Sequence, residues 1–165
     1  MRVRLSWLVA VAVAASVVLC VWLVLSPTPE QAIRRRLGEV ARTASFGPNE
    51  GPLAKMMNAD KLASFFAKDV EIRLDLGSAV QRLNGRDMVR NAAQTARTTL
   101  SSLKVDFRDL NVFVGPGRQT AEVDLTAVGS VPGEPDALVS ELKFLLRKSG
   151  GEWVIRRVET VKTLR

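Results

Sequence analysis

Leu62-Ala63-Ser64-Phe65-Phe66-Ala67-Lys68-Asp69-Val70-Glu71-Ile72-Arg73-Leu74-Asp75-Leu76, residues 62–76, is where the hydrophobic period of the chain changes. At its start, Leu62, Phe65 and Phe66 recur at i, i+3 and i+4, the spacing of one helix face. Further on, Val70, Ile72, Leu74 and Leu76 alternate with Glu71, Arg73 and Asp75. Successive strand side chains point to opposite faces, so this alternation predicts a strand with one buried and one solvated side. A helix handing over to a half-buried strand points to an α+β domain.

Upstream, Ser26-Pro27-Thr28-Pro29 opens a helix: Thr28 and Gln31 have capping-box spacing and Pro29 suits the first turn. Ala32, Ile33, Leu37, Val40 and Ala41 form its apolar stripe, and it is expected to end near Ser45. Gly47-Pro48-Asn49-Glu50-Gly51-Pro52 reads as a loop. The second helix is expected to be short, with Asn58 as its cap and Leu62, Phe65 and Phe66 buried.

Downstream, a short strand is expected over Ala79–Leu83, and Asn84-Gly85 turns the chain. Arg86–Leu100 reads as a third helix with Val89, Ala92, Ala93, Ala96 and Leu100 on one stripe. Four antiparallel strands follow, over Lys104–Val114, Thr120–Ser130, Ala137–Lys148 and Trp153–Leu164. The phase of the first slips at Arg108–Asp109, which predicts a β-bulge. Ala121, Val123, Leu125 and Ala127 share one face of the second, and Leu138, Leu142, Phe144 and Leu146 are expected inward on the third. Gly115-Pro116-Gly117, Pro132-Gly133-Glu134-Pro135 and Ser149-Gly150-Gly151-Glu152 are the connecting turns.

The first 29 residues are of a different character. Residues 1–4 form a short basic tail, residues 5–25 carry no charged side chain, and residues 26–29 are a linker to a domain over 30–165. As a helix, Leu5–Leu25 would be roughly 31 Å long at about 1.5 Å per residue, close to the ~30 Å of a bilayer core. Trp7 and Trp22 fall near its ends, at headgroup level, and Cys20 lies inside it. A cleaved signal peptide competes with this reading. Its apolar region would be shorter and followed by a small-x-small site, and Trp22-Leu23-Val24-Leu25-Ser26-Pro27 supplies none. The expectation is one uncleaved membrane anchor. Arg2, Arg4 and the terminal amine favour an inside N-terminus, with the domain periplasmic or otherwise extracytoplasmic. Arg34, Arg35, Arg36 and Arg42 on the other flank argue the opposite orientation.

Composition is globular, with 47% hydrophobic and 25% charged residues. Arg2 and Arg4 account for two of the seven net positive charges, leaving +5 from Ser26 onward. That surplus suits an anionic membrane surface. No basic run is interleaved with aromatics, so nucleic acid is not an expected partner.

The element order and three local stretches resemble the nuclear transport factor 2-like (SnoaL-like) superfamily. Residues 62–72 are similar to its helix-then-strand entry with an Asp-Val pair. Asn84-Gly85-Arg86-Asp87 resembles its Gly-Arg step into the long helix. Gly150-Gly151-Glu152-Trp153-Val154-Ile155 resembles its final hairpin. The resemblance implies a cone-shaped, cystatin-like fold, with three helices on a strongly bent antiparallel sheet. It implies a homodimer through the sheet, and single-span members of this layout occur as assembly parts of secretion machines. Enzymes of the superfamily, such as ketosteroid isomerases and SnoaL-like cyclases, work in the open end of the cone with a carboxylate or histidine.

This chain has no histidine and no tyrosine, which removes the commonest general base and the phenolic donor. An aspartate base would have to be Asp69, Asp109 or Asp124. The expectations for these are a cap at the helix–strand junction, a place at the bulge, and a solvent-facing strand position. No residue is expected to be catalytic. No metal site or cofactor is expected, since cysteine and histidine ligands are missing outside the anchor. Arg86 is expected to pair with Asp87 or lie at the surface, and Arg34-Arg35-Arg36 to form a solvated helix face. The expected function is binding, of a partner protein through the open sheet or of a small apolar ligand in the cone. Phe65, Phe66, Ile72, Leu74, Val89, Phe144 and Trp153 would line that cavity. The alternative is an isomerase, cyclase or hydrolase using a buried aspartate.

Overall fold

The computed structural model describes residues 14–16, 28–75 and 80–161. The expected anchor residues Leu5, Trp7, Cys20, Trp22 and Leu25 lie outside these, and only the helical turn 14–16 of that stretch is described. Among the described residues, no helix is long and apolar enough to cross a membrane.

Helix α1 spans Pro29–Ala44 and α2 spans Pro52–Ser64. Strands β1 (Phe66–Asp75) and β2 (Val80–Asn84) precede helix α3 (Arg86–Thr99). Strands β3 (Lys104–Val114), β4 (Thr120–Ser130), β5 (Leu138–Ser149) and β6 (Glu152–Thr160) complete the chain. The predicted order of three helices and six strands is therefore the observed one. The six strands form one sheet in the order β2-β1-β6-β5-β4-β3. It is not wholly antiparallel, because β1 and β6 run parallel. The long excursion from β1 to β6 brings the chain back beside its own starting strand.

The capping box forms as expected: the Thr28 hydroxyl accepts from the Gln31 amide, and the Gln31 side chain accepts from the Thr28 amide. Ile33, Leu37, Val40 and Ala41 are buried and lay α1 along β3. The second helix starts earlier than expected. Pro52 fixes its first turn and Gly51 stands at the cap, while Asn58 lies mid-helix with its amide on Glu50. It buries Ala59 and Ala63 rather than the two phenylalanines. Phe65 is its C-cap and Phe66 already begins β1. The period change thus falls four residues before Val70, because Phe65 and Phe66 fill the core in either conformation.

Gly85 has φ 86°, a conformation that favours glycine. Its amide bonds the Val70 carbonyl at 2.7 Å and turns the chain into α3. The buried stripe of α3 is Val89, Ala93 and Arg97, and Ala92 is exposed, not buried as expected.

Strand β3 carries the predicted bulge. Asp109 has φ 53°, and the pairing with β4 slips between Arg108 and Asn111. A second slip lies between β5 and β6 at Arg156. Such insertions increase local twist and bend a sheet. Leu138, expected inward, is exposed at the end of β5, and β6 ends at Thr160 rather than Leu164. The bend wraps one face around the helices. There Ile33, Leu37, Val70, Val123, Phe144, Leu146, Ile155 and Val158 form one apolar cluster. Phe107 and Phe144 meet edge to face at 5.7 Å.

Candidate functional site

The inner face of the sheet is filled by side chains. Of the residues expected to line a cavity, Phe65, Phe66, Ile72, Val89, Phe144 and Trp153 are all buried members of the core cluster, and Leu74 packs at its margin. The structure brings them together as packing partners. Phe65 also reaches the edge of a polar cleft between α1 and α2, beside Arg42, Asn58, Lys61 and Ser64.

The three candidate aspartates do not join this interior. Asp69 lies within β1, beyond the helix end at Ser64, so it caps no helix. Its Oδ1 accepts from Arg147 Nη2 at 2.8 Å. Asp109 is exposed at the bulge. Asp124 faces outward as alternation requires, 3.7 Å from Lys143 Nζ.

One interior ionic group was not legible as a site. Arg97 is 1% exposed. It lies 3.2 Å from Glu50, donates to the Thr43 carbonyl, and stacks 5.0 Å from the Phe46 ring centroid. Asn58 holds the other Glu50 oxygen. These contacts clamp the α1–α2 loop onto α3. A buried charge is tolerated only when paired and hydrogen-bonded, and here every contact goes to the clamp itself.

Two other arginines also differ from expectation. Arg86 donates from Nε to the Phe66 carbonyl at 2.9 Å, tying the start of α3 to the start of β1, while Asp87 pairs with Arg90. Arg36 is not part of a solvated face. It covers the Phe65 ring at 4.6 Å, donates to the Trp153 carbonyl, and pairs with Glu152 at 2.9 Å.

The outer face of the sheet is built differently. Arg157 pairs with Glu71 across β6 and β1 at 2.6 Å, and Arg147 with Asp69. Lys143 on β5 donates to Glu122 on β4. That bond, with the charges of Asp124 and Glu159, holds the Lys143 ammonium above the usual lysine range against some desolvation. Between these pairs opens a groove of about 670 Å³. Its apolar part is Phe113, Val114 and Leu145, with the buried Leu146 at its floor, and its rim is Glu71, Glu122, Arg147, Arg156 and Arg157. Phe113 is 59% exposed. It was missed in sequence because the bulge inverts the parity of β3: Phe107 points inward before the slip and Phe113 outward after it.

No family model matches the chain, and no curated protein matches it either. Solved structures do match its fold. A candidate scytalone dehydratase of Novosphingobium aromaticivorans superposes with a TM-score of 0.61 at 16% identity, covering 82% of this chain and 84% of that one. A domain of unknown function with a cystatin-like fold from Nostoc punctiforme gives 0.61 at 17% identity, over 85% and 81%. A nuclear transport factor 2-like protein of unknown function from Pseudomonas putida gives 0.60 at 10% identity, over 81% and 85%. At these identities the likeness concerns the fold alone. The fold is α+β, of the cystatin-like, nuclear transport factor 2-like kind.

Proposed function

We propose that the chain is a membrane-tethered binding module without catalytic activity, and that it binds through the outer face of its sheet. The observation that carries this reading is the contrast between a packed inner face and an open groove on the outer one. An acid–base enzyme of this fold would need a carboxylate in the interior. Asp69, Asp109 and Asp124 are all outside it, and the Glu50–Arg97 pair is engaged in holding a loop.

The groove has the features of an interaction surface. It has the exposed Phe113 and the half-buried Val114 and Leu145 at its centre and mostly paired charges at its margin. A self-complementary occupant is available, because the same face carries both arginines and glutamates and can meet a copy of itself about a two-fold axis. A second copy of the chain is therefore the occupant proposed first.

The test is sedimentation of the full chain in detergent over a range of concentrations. The chain should associate, and Phe113→Asp should weaken association by at least about tenfold, or ~1.4 kcal/mol. Far-ultraviolet circular dichroism should not change, since Phe113 contributes little to the core. A wild-type chain that stays monomeric throughout would remove the second-copy reading. Association that Phe113→Asp leaves intact would place the contact elsewhere, for instance in the tether.

A further inference from the structure

We propose that the end of the domain from which α1 starts lies against an anionic lipid surface, with Arg35, Arg118 and Lys148 as the headgroup contacts. This rests on the tether reading of residues 5–25.

The topology gathers three segments at that end. Ala32, Arg35 and Arg36, in the first two turns of α1, border the β5–β6 turn at Gly151, Glu152 and Trp153. The Lys148 amide donates to the Gln119 carbonyl at 2.8 Å, which places the β3–β4 turn beside that hairpin. So Arg34 and Arg35, Arg118, and Arg147 and Lys148 converge from segments far apart in sequence. The carboxylates nearby are already engaged: Glu30 by Arg34, Glu152 by Arg36, and Asp69 by Arg147. Arg35, Arg118 and Lys148 are exposed and make no ion pair among the described residues. The start of α1 adds the positive end of a helix dipole.

At the opposite end one loop has the opposite sign. The β4–β5 connection, residues 131–137, carries Glu134 and Asp136 and no basic residue, and both acids are exposed. An anionic surface would attract the first end and repel this loop.

If the tether spans, the short linker keeps the domain near the surface, and charge decides which end turns toward it. Ser26–Thr28 can reach at most about 10 Å when extended. The headgroup layer on each side of a bilayer is about 5–8 Å thick. The start of α1 can then lie no more than a few ångströms beyond the headgroup layer, within the ~8 Å over which charge is felt at physiological ionic strength, so charge can set the tilt of the domain. Each basic side chain near such a surface changes the population in contact by about fivefold.

The experiment uses the full chain with Cys20→Ser, reconstituted in phosphatidylcholine vesicles with or without phosphatidylglycerol. A single nitroxide is attached at Gln119→Cys, near the proposed contact, or at Ala137→Cys, on the far loop. A nickel-chelating lipid serves as the relaxing agent at headgroup depth. In phosphatidylglycerol vesicles the Gln119→Cys label should relax about tenfold more strongly than the Ala137→Cys label. The difference should shrink in about 1 M salt, where the Debye length is about 3 Å. It should shrink equally when Arg35, Arg118 and Lys148 are all changed to Gln, with vesicle flotation unchanged.

A chain that floats with its vesicles but relaxes equally at both sites overturns the inference and leaves the tether intact. So does a difference just as large in pure phosphatidylcholine, which the linker alone would produce. Spin–spin broadening at Gln119→Cys that survives when Phe113→Asp removes the groove contact would put a second copy there instead of lipid, again overturning it. A chain that fails to float, or is extracted by alkaline carbonate, removes the tether and this inference together.

Discussion

The two faces of the sheet are made from the same strands, residue by alternate residue, yet they are held by different physics. Behind β4 and β5, Val123, Leu125, Leu142, Phe144 and Leu146 are all under a tenth exposed and touch one another and α1. In front of the same two strands, Glu122, Asp124, Lys143 and Arg147 stand partly in water; Lys143 pairs with Glu122 and Asp124, and Arg147 with Asp69 on β1. Apolar burial is non-directional and scales with area, so the inner face is where stability resides. Ion pairs in water contribute little to stability, but they order side chains and fix which surface can meet which. The inner face therefore specifies the fold, and the outer face is left free for recognition.

The comparison breaks first on the inner side. Phe144→Ala removes a ring that packs on Phe107 at the centre of the cluster, and should cost about 3–5 kcal/mol in denaturant unfolding. A loss below about 1 kcal/mol would mean that this face holds a cavity rather than a packed core. Next comes an ionic group placed on the buried side. Glu50→Ala leaves the Arg97 guanidinium without its carboxylate and should cost about 3 kcal/mol, the low end for a broken buried pair because water reaches Glu50. Changing Glu50 and Arg97 together to Leu should recover most of that loss. A double variant as unstable as the single would show that Arg97 acts through Phe46 and Thr43 instead.

Much of this division could be read before any coordinates. Strict alternation in Val70–Leu74, Ala121–Leu125 and Leu142–Leu146 placed the inner face correctly, because one buried side forces a period of two. The phase slip at Arg108–Asp109 was legible for the same reason. Its effect on Phe113 is hard to see from the pattern, since one inserted residue reverses every later side chain on β3. The parallel pairing of β1 with β6 was invisible, because strand order depends on contacts distant in sequence. Arg97 was hidden by its type: its helical spacing from Val89 and Ala93 marks it as inward, but a charge in that position reads as an error until Glu50 is seen beside it. The expected lining residues were found as a set, because whatever would line a cone also packs a core.

The smallest effects belong to the outer face. Arg157→Ala breaks a 2.6 Å contact to Glu71, yet both groups are about half exposed, so unfolding should change by no more than about 1 kcal/mol. A larger loss would mean the two faces are less distinct than proposed. Lys143 gives the finest measure. Its ammonium titrates above the ordinary lysine value chiefly because Glu122 accepts a hydrogen bond from it, with Asp124 and Glu159 adding to the effect. A raised pKa of this kind contributes its stabilisation in full below the unfolded lysine value of about 10.4, and loses it as pH climbs through the higher folded value. The pair is thus complete at neutral pH, and only the alkaline limb of a stability profile can reveal it. Glu122→Gln should bring the Lys143 titration, followed by nuclear magnetic resonance at Nζ, back toward the ordinary value while leaving neutral-pH unfolding nearly unchanged. If the titration did not move, the Lys143–Glu122 bond would be dispensable, and Asp124 and Glu159 would be the charges that organise this side of the sheet.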